Sequence, residues 1–78
     1  MSTFKASIVI PLFNEEANID HLIKMLVNTN AFKINYCQLV LVNNGSKDKT
    51  GELIDYHHKQ YPAQIKCIHI KDNINYGG

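Results

Sequence analysis

The sequence predicts an α/β fold built on a parallel sheet, and three observations carry that reading. Three short apolar runs rich in β-branched residues, "SIVIPLF" (7–13), "YCQLVLVN" (36–43) and "IKCIHI" (65–70), have the length and composition of buried strands. Between them lie two stretches with helical spacing, which gives the order β-α-β-α-β and implies right-handed crossovers. The polar clusters "PLFNEE", "NNGSKD" and "KDNINYGG" all follow strands, so all fall on the carboxyl edge of the sheet, where open α/β sheets bind ligands. The expected architecture is a three-layer sandwich with a Rossmann-like, three-stranded parallel sheet, occupying residues 1–78 as one incomplete domain.

The first run reads as a strand buried on both faces. Pro11 lacks an N–H, so the strand should end near it. In the following stretch Ile19, Leu22, Ile23, Leu26 and Val27 fall at i, i+3, i+4, i+7 and i+8, one apolar stripe of a helix. Asn14 is placed to cap that helix, with Glu15 and Glu16 favoured by the positive end of its dipole. Asn28 to Asn30 mark its end. After the second strand, "DKTGELIDYHHKQYP" forms the second helix, with Leu53, Ile54, His57 and Tyr61 on one face, Asp48 or Thr50 as cap, and Pro62 as the stop.

Composition narrows the function classes. With 78 residues there is room for one small domain, which buries about 60% of the surface its unfolded chain exposes. A hydrophobic fraction of 45% and a charged fraction of 19% are those of a globular chain. A net charge of +1 with interleaved signs gives no nucleic-acid footprint. Cys37 and Cys67 form no C-x-x-C pair or zinc spacing and read as small core hydrophobes. The opening apolar run is too short for a secretory signal or a membrane span, so a reducing, cytoplasmic setting is expected, with membrane attachment of a longer parent left open. His57 and His58 are adjacent on a helix and face different ways, and His21 and His69 stand alone, so no histidine is expected to hold a metal.

Each polar cluster has a structural and a functional reading. Asn44, Gly45, Ser46 and Asp48 are standard turn residues, but a glycine at a strand end also lets the backbone approach a ligand or take φ > 0. Phe13 either packs in the core or leaves it to stack on a base. Glu15 either favours the helix dipole or accepts hydrogen bonds from sugar hydroxyls. "NINYGG" is a bland loop or one that wraps a ligand. A dinucleotide-binding G-x-G-x-x-G, a P-loop and a G-x-S-x-G elbow are all missing.

Taken together and in order, the clusters resemble family 2 glycosyltransferases of the GT-A type, which use nucleotide-sugar donors. "PLFNEE" resembles the family's P-x-Y/F-N-E, "LVLVNNGSKDKT" its strand followed by D-D-G-S-x-D-x-T, and "NINYGG" its later N-x-G-x-G loop, so the likeness runs from Ser7 to Gly78. The resemblance implies a nucleotide-sugar site made from Pro11, Phe13, Asn14, Glu15, Asn44, Gly45, Ser46, Asn73 and Gly77. Within it Phe13 lies near the base, Glu15 near the donor, Asn44 where the second acid contacts the base, and the loop of Asn73 and Gly77 near the donor. Asp48 and Thr50 mainly start the helix.

Two departures shape the expectation. "NN" replaces the usual acidic pair, and an amide both accepts and donates, which matches the N–H and carbonyls of uracil and favours a UDP-sugar. The family's metal-binding D-x-D lies beyond the matching region. A divalent ion, Mg or Mn, is therefore expected for the complete parent enzyme and not for this chain, which is expected to carry part of the donor site and to be inactive alone. The acceptor is unspecified. The rival reading is a non-catalytic nucleotide-binding α/β module, or one that self-associates through an exposed sheet edge.

Overall fold

The computed structural model describes residues 4–71. Its elements are β1 (Ala6–Leu12), α1 (Ile19–Val27), α2 (Asn30–Lys33), β2 (Cys37–Asn44), α3 (Thr50–Gln60) and β3 (Ile65–Ile70). The strands form one parallel sheet in the order β1-β2-β3, as the alternation of elements requires. The third strand has the expected bounds, and each of the others differs from expectation by one residue at either end.

Register fixes which side chains meet. Ile8 pairs with Leu39 and Ile10 with Leu41, while Leu39 pairs with Ile65 and Leu41 with Cys67. These positions share one face, and the helices cover it except at Ile8, which is exposed. Ile19 and Ile23 of α1, Phe32 of α2 and Ile54 of α3 join Leu12, Cys37, Leu39, Leu41 and Ile65 in a single buried cluster. Removing each large aliphatic side chain from water contributes about 1.5–3 kcal/mol. Both crossovers advance in the same direction across the sheet, so α1 and α3 lie side by side in one layer, which with the sheet makes two of the three expected layers among the described residues.

The central strand β2 is buried along most of its length. β1 is not, which corrects the expectation of a strand covered on both faces. Only Leu12 of β1 is fully buried, and Val9 is 61% exposed. The reason is position: among the described residues β1 ladders on one side only, and no described helix lies on its outer face. An edge strand also tolerates Pro11, which pairs with Val42 inside the ladder, one residue before the strand ends.

The proposed cap of α1 is also corrected. Helix α1 begins at Ile19, after a turn in which the Glu15 carbonyl accepts the N–H groups of Asn18 and Ile19. Asn14 lies upstream with φ 51°, the left-handed region that asparagine tolerates. The end at Asn28 is as expected. The short α2, which the sequence reading passed over, starts where the Thr29 hydroxyl accepts the Phe32 N–H at 3.3 Å. Buried Gln64 ties α2 to β2 by donating to the carbonyls of Phe32 and Cys37.

In α3, Ile54 is fully buried, Leu53 packs against the core, and Tyr61 meets Phe32 edge to face at 5.2 Å. His57 Nε2 lies 2.7 Å from Asp20 of α1, and His58 Nδ1 approaches the Ile65 carbonyl, so the adjacent pair faces two different neighbours. An open cleft of about 380 Å³ between α1 and α3 is lined by Asp20, Ile23, Lys24, Val27, His57 and Tyr61 among others, none of them a candidate site residue. Among the described residues no helix is long and apolar enough to cross a membrane.

Candidate functional site

The carboxyl edge of the sheet brings the first two polar clusters together. Hydrogen bonds join residues 14–16 to residues 46–50. Asn14 N–H donates to Ser46 Oγ at 3.0 Å, Glu15 N–H to Thr50 Oγ1 at 2.8 Å, and Glu16 N–H to Asp48 at 3.2 Å. In return Lys47 N–H donates to Asn14 Oδ1 at 2.8 Å and Lys49 N–H to Glu16 at 3.3 Å. The left-handed turn at Asn14 therefore serves the neighbouring loop, which is why Asn14 does not cap α1.

Asp48 and Thr50 anchor this arrangement. Thr50, the first residue of α3, is fully buried, and both its N–H and its hydroxyl donate to Asp48 Oδ1. The hydroxyl bond holds the Asp48 carboxyl below the usual carboxylate range; partial desolvation opposes it, and the N–H groups of Thr50 and Glu16 add to the lowering. The reading of these two residues as helix-starting groups agrees with this, with Thr50 also reaching back to the first loop.

Gly45 is buried and has φ 72°, the positive value its place at the strand end allows. Asn44 is 6% exposed and Phe13 43% exposed. Leu12 pairs with Asn43, so Phe13, just past the end of β1, lies beside the end of β2, where Asn44 is the last residue. The ring of Phe13 thus leaves the core. Pro11 sits in the ladder and not in the loop. Glu15 is half-buried. Asn73 and Gly77 lie outside the described residues.

Sequence reasoning missed Asn43. Its Oδ1 accepts the Ser46 N–H at 3.0 Å, and its Nδ2 lies 3.1 Å from His69 Nδ1. An asparagine three residues ahead of a turn serine is a visible pattern. Its contact with His69, 26 residues away, is not. Cys37 is buried in the core as expected, whereas Cys67 is half-buried beside Asp55 and His69. Burial pushes the Cys67 thiol up, and the Asp55 carboxylate adds to that.

The Mg or Mn ion implied by the resemblance does not fit the described residues of this edge. The carboxylates of Asp48 and Glu16 already accept N–H groups from Thr50, Glu16 and Lys49.

Comparison with known proteins gives the family of the chain. Residues 7–78 match the family described as Glycosyl transferase family 2. An uncharacterized glycosyltransferase of Synechocystis sp. is 44% identical over 73 residues, which cover 91% of this chain and 22% of the relative. A dolichyl-phosphate beta-glucosyltransferase of Trichomonas vaginalis is 34% identical over 96 residues, covering 87% of this chain and 28% of that protein. A minor teichoic acid biosynthesis protein of Bacillus subtilis is 31% identical over 68 residues, covering 86% and 15%. The chain thus spans less than a third of the length of these relatives. The match across nearly all of its own length settles its kinship: the chain belongs to glycosyl transferase family 2.

Proposed function

We propose that this chain forms the base-binding part of a donor site in a glycosyltransferase that moves a sugar from a nucleotide diphosphate, with UDP favoured, to an acceptor. The observation that carries the reading is the exposed Phe13 ring at the same sheet edge as Asn44 and the left-handed Gly45. An aromatic face at 43% exposure supplies a stacking surface for a base. The Asn44 amide, seated lower at 6% exposure, supplies a donor and an acceptor for uracil. Pro11 and Glu15 border these groups, Asn14 and Ser46 hold the two loops together, and the resemblance alone assigns Asn73 and Gly77 to the donor. One relative is named a dolichyl-phosphate beta-glucosyltransferase, which supports sugar transfer as the parent activity.

Calorimetric titration with UDP and GDP tests the base preference. Tighter UDP binding is expected, and tighter GDP binding overturns the role given to Asn44. The chain alone transfers no sugar, because the metal-binding D-x-D that the resemblance assigns to the leaving diphosphate lies beyond the matching region. Turnover of any nucleotide sugar by the purified 78-residue chain refutes this. A second reading, self-association, is favoured by Val9 and Ile68, which are 61% and 49% exposed on the sheet face away from the helices. Concentration-dependent sedimentation that nucleotide does not alter would support it.

A further inference from the structure

We propose that Asp55, Cys67 and His69 form a binding site for a borderline transition-metal ion such as Zn²⁺, and that its occupancy is felt at the turn after β2. Cys67 and His69 are two apart on β3, so they share the face that meets α3, and Asp55 of α3 lies against both. His69 Nε2 is 2.8 Å and Cys67 Sγ 3.7 Å from Asp55 Oδ1, and the three ligand atoms lie within 4.8 Å of one another. Sulfur, imidazole nitrogen and carboxylate oxygen together suit zinc or cobalt, whereas magnesium and calcium take oxygen ligands.

The sulfur–oxygen spacing fits a tetrahedral ion. Zinc bonds of about 2.0–2.1 Å to nitrogen and oxygen and about 2.3 Å to sulfur put the sulfur–oxygen edge at about 3.6 Å and the nitrogen–oxygen edge at about 3.4 Å. The sulfur–oxygen distance of 3.7 Å is already close to this, and the imidazole and carboxylate part slightly once the proton between them is gone. Asp55 and His69 are exposed, so an ion can enter and a fourth position stays open to water. The thiol gives its proton to solvent as the metal–sulfur bond forms.

Asn43 links this site to the turn. Its Oδ1 is held by the Ser46 N–H, so its Nδ2 donates to His69 Nδ1, and His69 carries its proton on Nε2, facing Asp55. A metal on Nε2 moves that proton to Nδ1. The ring then needs an acceptor, and the Asn43 amide must turn its oxygen away from Ser46. Gly51 is what leaves space for this amide, since a Cβ there would stand 2.8 Å from Asn43 Nδ2. The ion therefore clips α3 to β3 and releases the Ser46 N–H of the turn that contains Gly45.

Titration of the untagged protein with Co²⁺ tests the site directly. A thiolate-to-cobalt charge-transfer band in the near ultraviolet is expected, bleached by Zn²⁺ and absent in Cys67→Ser. His69→Gln should weaken cobalt binding about tenfold or more. On loading with diamagnetic Zn²⁺, the Ser46 amide resonance should shift. A wild-type protein without the band, or a band that survives Cys67→Ser, overturns the site. A Ser46 amide that stays in place on zinc loading overturns the coupling, and this readout needs no variant. None of these results depends on nucleotide binding.

Discussion

Replacing Thr50 with valine removes one hydroxyl and keeps the side-chain shape. That hydroxyl accepts the Glu15 N–H at 2.8 Å and donates to Asp48, and Thr50 is fully buried, so water cannot readily take its place. A donor left without a partner in such surroundings costs about 1–3 kcal/mol. A chain of 78 residues has roughly 4–12 kcal/mol of total stability, so the loss is a large share of it. With a urea slope of about 1 kcal/mol/M, the midpoint should fall by about 1–3 M. Urea unfolding followed by circular dichroism measures this, with Thr50→Ser as the control that keeps the hydroxyl. A Thr50→Val midpoint within about 0.3 M of the parent would refute the claim that this bond ties the loops, given the same slope.

The remaining predictions concern the same edge. The Asp48 carboxyl is lowered in the folded state, so its contribution is present above its unfolded value and lost as pH falls through the folded one. Asp48→Asn should therefore differ from the parent most near neutral pH and converge with it in acid, and a constant difference across the acid limb contradicts this. Gly45→Ala forces a Cβ into φ 72° and should cost about 1–2 kcal/mol in thermal or urea unfolding. Phe13→Ala removes an exposed ring, so stability should change by less than about 0.5 kcal/mol. UDP affinity should meanwhile fall by the worth of one stacked base, about 1–3 kcal/mol, and unchanged affinity by calorimetry removes Phe13 from the base site.

The elements were legible because their signals are local. The i, i+3, i+4 stripe of α1 and the β-branched runs of β2 and β3 depend on neighbours in sequence, and they appear where the periodicity puts them. Gly45 was legible for the same reason, since a glycine between a strand and a helix has few other uses. β1 was misjudged because burial belongs to the sheet and not to the strand. The same apolar run reads alike at the centre and at the edge, and only the strand order puts β1 outermost.

The candidate site was legible as an edge but not as a network. "PLFNEE" and "NNGSKD" stood out, yet the bonds that join Asn14 to Ser46 and Lys47, and Glu15 to Thr50, span 32 to 35 residues and have no periodic trace. Asn14 looked like a cap because caps and left-handed turns use the same residue type. The cluster of Asp55, Cys67 and His69 was invisible for a related reason. It joins a helix to a strand across a crossover, where spacing in sequence carries no metal-site pattern.

The central claim is that the edge bearing Phe13, Asn44 and Gly45 receives a uridine nucleotide. The most direct test is an amide NMR spectrum of the protein titrated with UDP and then with GDP. UDP should shift the amides of Phe13, Glu15, Asn44 and Gly45 at lower concentration than GDP does. A well-dispersed spectrum in which those four amides stay fixed as UDP is added would contradict it.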